Sequence, residues 1–394
     1  MKTYSILLIV FSVLLIIVLV AGGLHLLNNK SAFTQKSDDC ASGPGYEAVK
    51  KYITSQPRGV VTIPSGAFQG IVEACGGDKD RAMLCIANYI AYEGVELSGD
   101  PPGRKPRSSP PPAAQHTVMS GYPVGACVLG CSGTVYLGAN FEFCSPLINT
   151  IHGEQCATHN AAVHGEKSIT KLAVNAAPCG VCRQFLVEVG SPKDLDVIFC
   201  SNEGKFVSKQ LSDLLPSSFG PENLGNRNTA LKHPVHETLK INQGDSKAIK
   251  LAKQMFSQAY APYTHITEGV VLEFSTGELI PGQTVENAAY NPSVSAFRGA
   301  CSLAALSGLD MKNLKTVTYV FPSETEQKPG ATCTLQDTLE NMKAVMEGLY
   351  QSQTFASDVQ LQSVPIPLPQ QNPHALIFLA AQKENNNRPM RLPL

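Results

Sequence analysis

His152, Glu154, Cys179 and Cys182 are the residues whose types and spacing could do chemistry together. A C-x-x-C such as Cys179–Cys182 sets two sulfurs on adjoining turns, where both can grip one ion. Pro178 opens a helix pattern at this point, and a helix start favours thiolate over thiol through its dipole and its free N–H groups. His152 supplies a third donor from a neighbouring helix. Two thiolates and an imidazole suit Zn²⁺. Three protein ligands leave the fourth tetrahedral position open, which is the mark of a catalytic zinc site, and water held there ionises near neutral pH. Glu154, two residues beyond the imidazole, is not needed as a ligand and can carry that water's proton. Two other readings stand beside this one. An isolated C-x-x-C is often redox-active or half of a zinc knuckle. A fourth ligand from His159, His164, Cys144 or Cys156 would close the site and make it structural.

The elements that must position these side chains follow from apolar spacing. Val124–Leu129 and Thr134–Leu137 read as strands of a hairpin turned at Ser132-Gly133, and Leu172–Asn175 and Val197–Cys200 as further strands. Residues 151–167 and 178–189 have helical character, as does the acidic-to-apolar run from Asp78. Strands alternating with helices predict an α/β sandwich around one sheet. Residues 98–113, rich in Pro, Gly and Ser, read as a surface loop. The Pro-rich tail from 364 on carries no assignment.

With 394 residues, 43% hydrophobic and 16% charged, the chain is long enough for two domains and apolar enough to bury cores. A formal net charge of −1 argues against a protein that binds by neutralising many phosphates. The 12 cysteines are scattered rather than packed into a small disulfide framework. No charge falls between Lys2 and Lys30, and residues 5–27 are almost wholly apolar. About 20 apolar residues span a bilayer. That segment therefore predicts a single-pass anchor or a secretory signal, with a cytosolic enzyme carrying a misassigned start as the alternative.

After residue 240 the pattern returns. A helix candidate at 245–260 is followed by APYTHITEGVVLEF, a Gly turn, and GQTVENAAYNPSVSAFRGACSLAAL. The first region has SGYPVGACVL, a Gly turn, and LGANFEFCSPLINTIHGEQCATHNAA. This predicts an internal duplication, with Phe297-Arg298-Gly299-Ala300 standing where the first copy has His152-Gly153-Glu154-Gln155. Beyond that helix the second copy has no C-x-x-C, only the isolated Cys333, so the duplication predicts a copy that keeps the fold without the metal.

H-x-E…P-C-x-x-C is the signature of the zinc nucleobase deaminases. Over roughly residues 60–345 the chain resembles the cytidine deaminases of the larger homodimeric type. The likeness is strongest in SGYPVGACVLGCSGTVYLGANFEF, HGEQCATHNAAVHGEKSITKLAVNAAPCGVCRQF and SSFGPENL. It implies two three-layer α/β/α sandwich domains of the cytidine deaminase kind after a short helical N-terminal part. The expected division is a membrane or signal segment at 1–29, a linker and helical part at 30–75, a catalytic domain at 76–230, and a degenerate domain without zinc at 231–394. The resemblance implies one Zn²⁺ on His152, Cys179 and Cys182, and Glu154 as proton shuttle. Asn140, Phe141 and Glu142 fall in the ribose-binding stretch. Tyr122 aligns with an aromatic of the nucleoside pocket, and Phe219 with an aromatic that reaches the pyrimidine from the other subunit of a homodimer. Backbone groups of Gly153 and Ala177 would read the base edge. The implied reaction is hydrolysis of cytidine or deoxycytidine to the uridine and ammonia, in pyrimidine salvage. Glu142 needs a free ribose hydroxyl as donor, which disfavours a polynucleotide substrate, and no nucleic acid partner is expected. A polynucleotide cytosine deaminase and a non-catalytic, zinc-stabilised membrane-tethered module are the competing readings.

Overall fold

The computed structural model describes residues 43–56, 61–92, 117, 119–143, 149–190, 194–201, 205–235, 239–322 and 360–366. Two short helices, α1 (Pro44–Ser55) and α2 (Ser65–Ala74), lead into α3 (Lys79–Tyr92). In α1 the buried residues Tyr46, Val49 and Ile53 recur three and four apart, and this stripe lies against α2 and α3. Asp78 Oδ1 accepts from Arg81 N at 3.0 Å and so satisfies one of the free donors at the start of α3.

The expected hairpin is β2 (Gly125–Gly130) and β3 (Val135–Ala139), turned at Gly133 with φ 79°. Both strands are buried throughout. Their glycines explain how helices cover both faces. A Cβ on Gly125 would come within 2.1 Å of Ala87 O in α3. A Cβ on Gly138 would come within 2.3 Å of Gly153 O and 2.4 Å of Ala157 N, both in α4 (Gly153–Val163). The sheet continues through β4 (Ile169–Val174), β5 (Asp196–Cys200) and β6 (Phe206–Gln210), and β1 (Thr62–Ile63) pairs on its other edge. The strand order is β1-β3-β2-β4-β5-β6, and only β4 and β5 run parallel. Between those two parallel strands the chain crosses through α5 (Gly180–Val187). A four-residue α6 (Leu211–Leu214) follows β6.

The second half repeats this design with α7 (Lys247–Gln258), β7 (Gly269–Phe274), β8 (Leu279–Gln283), α8 (Ala296–Leu306), β9 (Leu314–Pro322) and β10 (Gln360–Ile366). Its sheet runs β10-β9-β7-β8, with β9 and β10 parallel as β4 and β5 are. Gly269 meets Ala252 O and Gly282 meets Ala296 O, as Gly125 and Gly138 meet α3 and α4. The register also shifts at matching places, at Leu129/Gly130 in the first copy and at Glu273/Phe274 in the second. The chain is thus two α/β sandwiches of one design after a helical N-terminal part.

These matches correct the expected alignment of the copies. Gly138 faces Gly153 and Ala157, and Gly282 faces Ala296 and Ala300, so His152 corresponds to Ser295 and Glu154 to Phe297. The earlier alignment is two residues out, because runs of small residues in both helices carry no register of their own. The glycine contacts do carry one. The Pro-rich tail also yields structure at its start, since Val364–Ile366 belong to β10. Cys333 and the 98–113 loop lie outside the described residues.

The expected membrane segment, residues 5–27, also lies outside the described residues. Among the described residues no helix is long and apolar enough to cross a membrane. The longest of them, α3, has 14 residues, against about 20 needed. The expectation of a single-pass membrane location is corrected accordingly: no described helix supports it.

Alanine at Gly138 should wedge α4 off the sheet and cost about 1–3 kcal/mol. Gly282→Ala should do the same to α8. Thermal melts of both variants should fall together, and Gly138→Ala should lower bound zinc the more, because α4 itself carries His152.

Candidate metal and active site

Two helix starts meet at one end of the first sheet. The chain leaves β3 at Ala139, pairs Phe141 with Ile151 in an antiparallel bridge, and enters α4 with His152 as N-cap. Gln155 Oε1 accepts from His152 N at 3.0 Å and fixes the backbone there. After β4 the chain turns through Ala176 to Pro178 and enters α5 with Cys179 as N-cap. Arg183 Nε donates to Pro178 O at 2.9 Å and holds this second entry. Cys182, one turn on, is fully buried, whereas Cys179 is exposed and His152 half-buried.

Cys179 Sγ lies 3.4 Å from His152 Nδ1 and 3.6 Å from Cys182 Sγ. All three donor atoms fall within 4.8 Å of one another. Tetrahedral bonds of about 2.3 Å to sulfur and about 2.0–2.1 Å to nitrogen would separate two sulfurs by about 3.8 Å, and sulfur from nitrogen by about 3.6 Å. The donor set therefore fits one zinc ion in both chemistry and spacing. Contact with Cys182, then the His152 ring, holds the Cys179 thiol down at about 3, so it is a thiolate. Burial, then the contact with Cys179, pushes the Cys182 thiol up. The contact with Cys179 raises the His152 imidazole.

Glu154 is buried at 3% exposure on the first turn of α4, with its carboxyl hydrogen-bonded to Cys182. Burial raises its pKa. Among the described residues, no fourth His, Cys, Asp or Glu joins the three donors. His159 Nε2 is 3.0 Å from Gln283 O, across the contact with the second half. His164 Nδ1 is 2.8 Å from Asn160 O. Cys156 is buried in α4, and Cys144 lies outside the described residues.

The expected substrate residues behave differently from one another. Asn140 Oδ1 accepts from Val124 N at 2.8 Å, and its Nδ2 donates to Tyr122 O at 3.0 Å. Glu142 accepts from Met119 N at 2.8 Å, Ser120 N at 3.0 Å and the Ser120 hydroxyl. Both side chains thus hold the segment that presents Tyr122, which is 39% exposed. Phe141 is a correction, because its ring is 1% exposed and packs edge-on against Phe143, 4.9 Å between centroids. It is a core residue that supports its neighbours and meets no solute. Gly153 is buried, and a Cβ there would lie 3.1 Å from Val124 Cγ1, while Ala177 is exposed ahead of α5. Phe219 is exposed, and its carbonyl accepts from Gln184 Nε2 of α5 at 2.7 Å.

Sequence reasoning missed Asn175, whose Oδ1 accepts from Gly125 N and whose Nδ2 donates to Pro123 O. It also missed the loop-holding role of Glu142, for which a signal exists. Glu286, the counterpart in the second copy, accepts from Tyr263 N, Thr264 N and the Thr264 hydroxyl in the same pattern.

Two stretches, 111–198 and 211–328, match family models described as the cytidine and deoxycytidylate deaminase zinc-binding region. Fold and cluster are accordingly those of a zinc-binding deaminase with two copies of that region. A cytidine deaminase of Photorhabdus laumondii is 41% identical over 199 residues, covering 50% of this chain and 66% of the relative. One of Vibrio atlanticus is 34% identical over 290 residues, covering 72% of this chain and 86% of the relative. A cytidine deaminase of Burkholderia pseudomallei of known structure is 30% identical over 27% of this chain and 94% of its own, with a TM-score of 0.25. The chain belongs to the cytidine deaminase family.

A ligand that binds only the folded chain stabilises it by about 2.7 kcal/mol at a hundred times its Kd. Zinc should therefore raise the melting temperature of chelator-treated protein, and Cys179→Ser should abolish most of that rise. Equal rises in both proteins would place the metal elsewhere.

Proposed function

We propose that the chain catalyses the hydrolytic deamination of cytidine and deoxycytidine to uridine, deoxyuridine and ammonia. The observation that carries this reading is the three-donor cluster with a buried carboxyl beside it. A zinc ion on His152, Cys179 and Cys182 would act as Lewis acid and bring the pKa of a coordinated water to about 7. Glu154 takes one proton of the attacking water and delivers it to N3 of the base, then takes the second from the oxygen now bonded to C4 and gives it to the exocyclic nitrogen, so that the C4–N bond breaks, C4 becomes a carbonyl and ammonia leaves. Its burial keeps bulk water from competing for that proton. The backbone of Gly153 and Ala177 reads the base edge, and Tyr122 and Phe219 flank the ring.

Glu142 and Asn140 bind the ribose in addition to holding the 119–124 segment. An ionised carboxylate has about four acceptor sites. Three donors on Glu142 leave one site for a ribose hydroxyl. Within a polynucleotide the 3′ oxygen is esterified and has no proton to give, which favours the free nucleoside and a place in pyrimidine salvage. Catalysis belongs to residues 76–230, and residues 231–394 form the partner domain without zinc. A homodimer brings Phe219 to the neighbouring active site. In support, Met119, Tyr122, Val181, Phe219 and Leu224 all expose apolar surface.

Glu154→Ala should retain zinc and slow the loss of cytidine absorbance by about 10⁴-fold, the upper end for one general acid–base group, because both proton transfers share it. Wild-type kcat in a zinc-loaded variant would remove Glu154 from the mechanism.

A further inference from the structure

The two copies touch through the helices that begin at His152 and at Ser295, and the contact is reciprocal. Gln155 and Arg298 occupy the same position, three residues after the N-caps of α4 and α8. Gln155 Nε2 crosses to the second copy and donates to Pro292 O at 2.8 Å. Arg298 Nε crosses the other way and donates to Asn149 O, also at 2.8 Å. Pro292 and Asn149 are themselves equivalent, each three residues ahead of its N-cap. Arg298 adds longer bonds to Thr150 O at 3.5 Å and to Ser293 O at 3.4 Å.

The consequence differs between the copies. In the second copy the held loop leads to Ser295, an ordinary cap whose hydroxyl accepts from Arg298 N. In the first copy it leads to His152. Gln155, anchored on Pro292, holds His152 N through its other amide atom. Arg298 holds the two residues just before the Phe141–Ile151 bridge. The imidazole is therefore fixed from both sides by groups tied to the domain without a metal.

We propose that Arg298, which lies in the second domain, is a positioning residue for the zinc site, holding the 149–151 segment so that His152 points at the two sulfurs. This rests on the proposed assignment of His152 as a ligand. A guanidinium suits the task because its rigid planar fork offers five donors in fixed directions to several carbonyls, against the three of a flexible ammonium. It also explains why the second copy is retained as part of the enzyme, since the site is not fully braced without it.

The test uses the zinc-loaded, full-length protein and measures zinc transfer to a colourimetric chelator, with kcat and KM for cytidine in excess zinc. Arg298→Met should release zinc about tenfold faster than wild type, in line with other supporting groups around metal ligands. It should lower kcat and leave KM nearly unchanged. Arg298→Lys should fall between the two, and it supplies the readout if Arg298→Met does not fold. Lys253→Met, which breaks a buried ion pair with Asp245 in the same domain far along the sequence from the clasp, controls for general loss of stability. It should release zinc at the wild-type rate even at an equal loss of melting temperature. Zinc release from both Arg298 variants at the wild-type rate overturns the proposal, as does equally fast release from Lys253→Met. Wild-type protein that binds no zinc overturns the ligand assignment and this inference with it. Zinc-loaded wild type that leaves cytidine intact overturns the deaminase reading alone, because the release rates still decide the role of Arg298.

Discussion

Everything in this molecule depends on holding three soft donor atoms within 4.8 Å of one another at the starts of two different helices. No single element achieves this. The C-x-x-C fixes only the two sulfurs, since N-cap and third helical position lie one turn apart on α5. The imidazole comes from α4, which reaches the same corner because Gly138 lets that helix sit directly on the sheet. A methyl group at that glycine displaces one donor relative to the other two, and coordination tolerates errors of only about 0.2 Å.

Among the described residues, the second copy has the same architecture without a matching donor cluster. Ser295 takes the position of His152 and caps its helix in the ordinary way. Phe297 takes the position of Glu154 and is 4% exposed. A buried ring stabilises by about 1.5–3 kcal/mol, whereas a buried carboxylate costs free energy unless partnered. At the second of these positions the first copy gives up stability that the other copy retains. The two are joined by a continuous apolar core as well as by polar ties. Among those ties, Glu188 at the end of α5 receives hydrogen bonds from the hydroxyls of Tyr260 and Tyr263 and from Ala288 N.

Much of this was legible in the sequence, for physical reasons. His152, Glu154, Cys179 and Cys182 stood out because coordination needs rare residue types at short spacing. The hairpin and the helices around it showed in apolar periodicity, and the duplication in its repeated order. What escaped was set by contacts across the fold. The register of the two copies was misread by two residues, since Ala, Gly and Ser runs fit several alignments equally well. Phe141 was placed with Asn140 and Glu142 by the resemblance, whereas its ring is buried against Phe143. Asn175 and Arg298 carried no signal, because their partners are backbone atoms dozens of residues away. The apolar run at 5–27 suggested an anchor on composition alone.

X-ray absorption at the zinc edge of the full-length protein, with metal content measured on the same sample, tests the central claim most directly. The account predicts one zinc per chain, bound by two sulfurs at about 2.3 Å and two lighter atoms at about 2.0–2.1 Å. One of the lighter atoms should be an imidazole nitrogen and the other should exchange with solvent. A shell of three or four sulfurs, two imidazoles with no exchangeable ligand, or protein that takes up no zinc would contradict it.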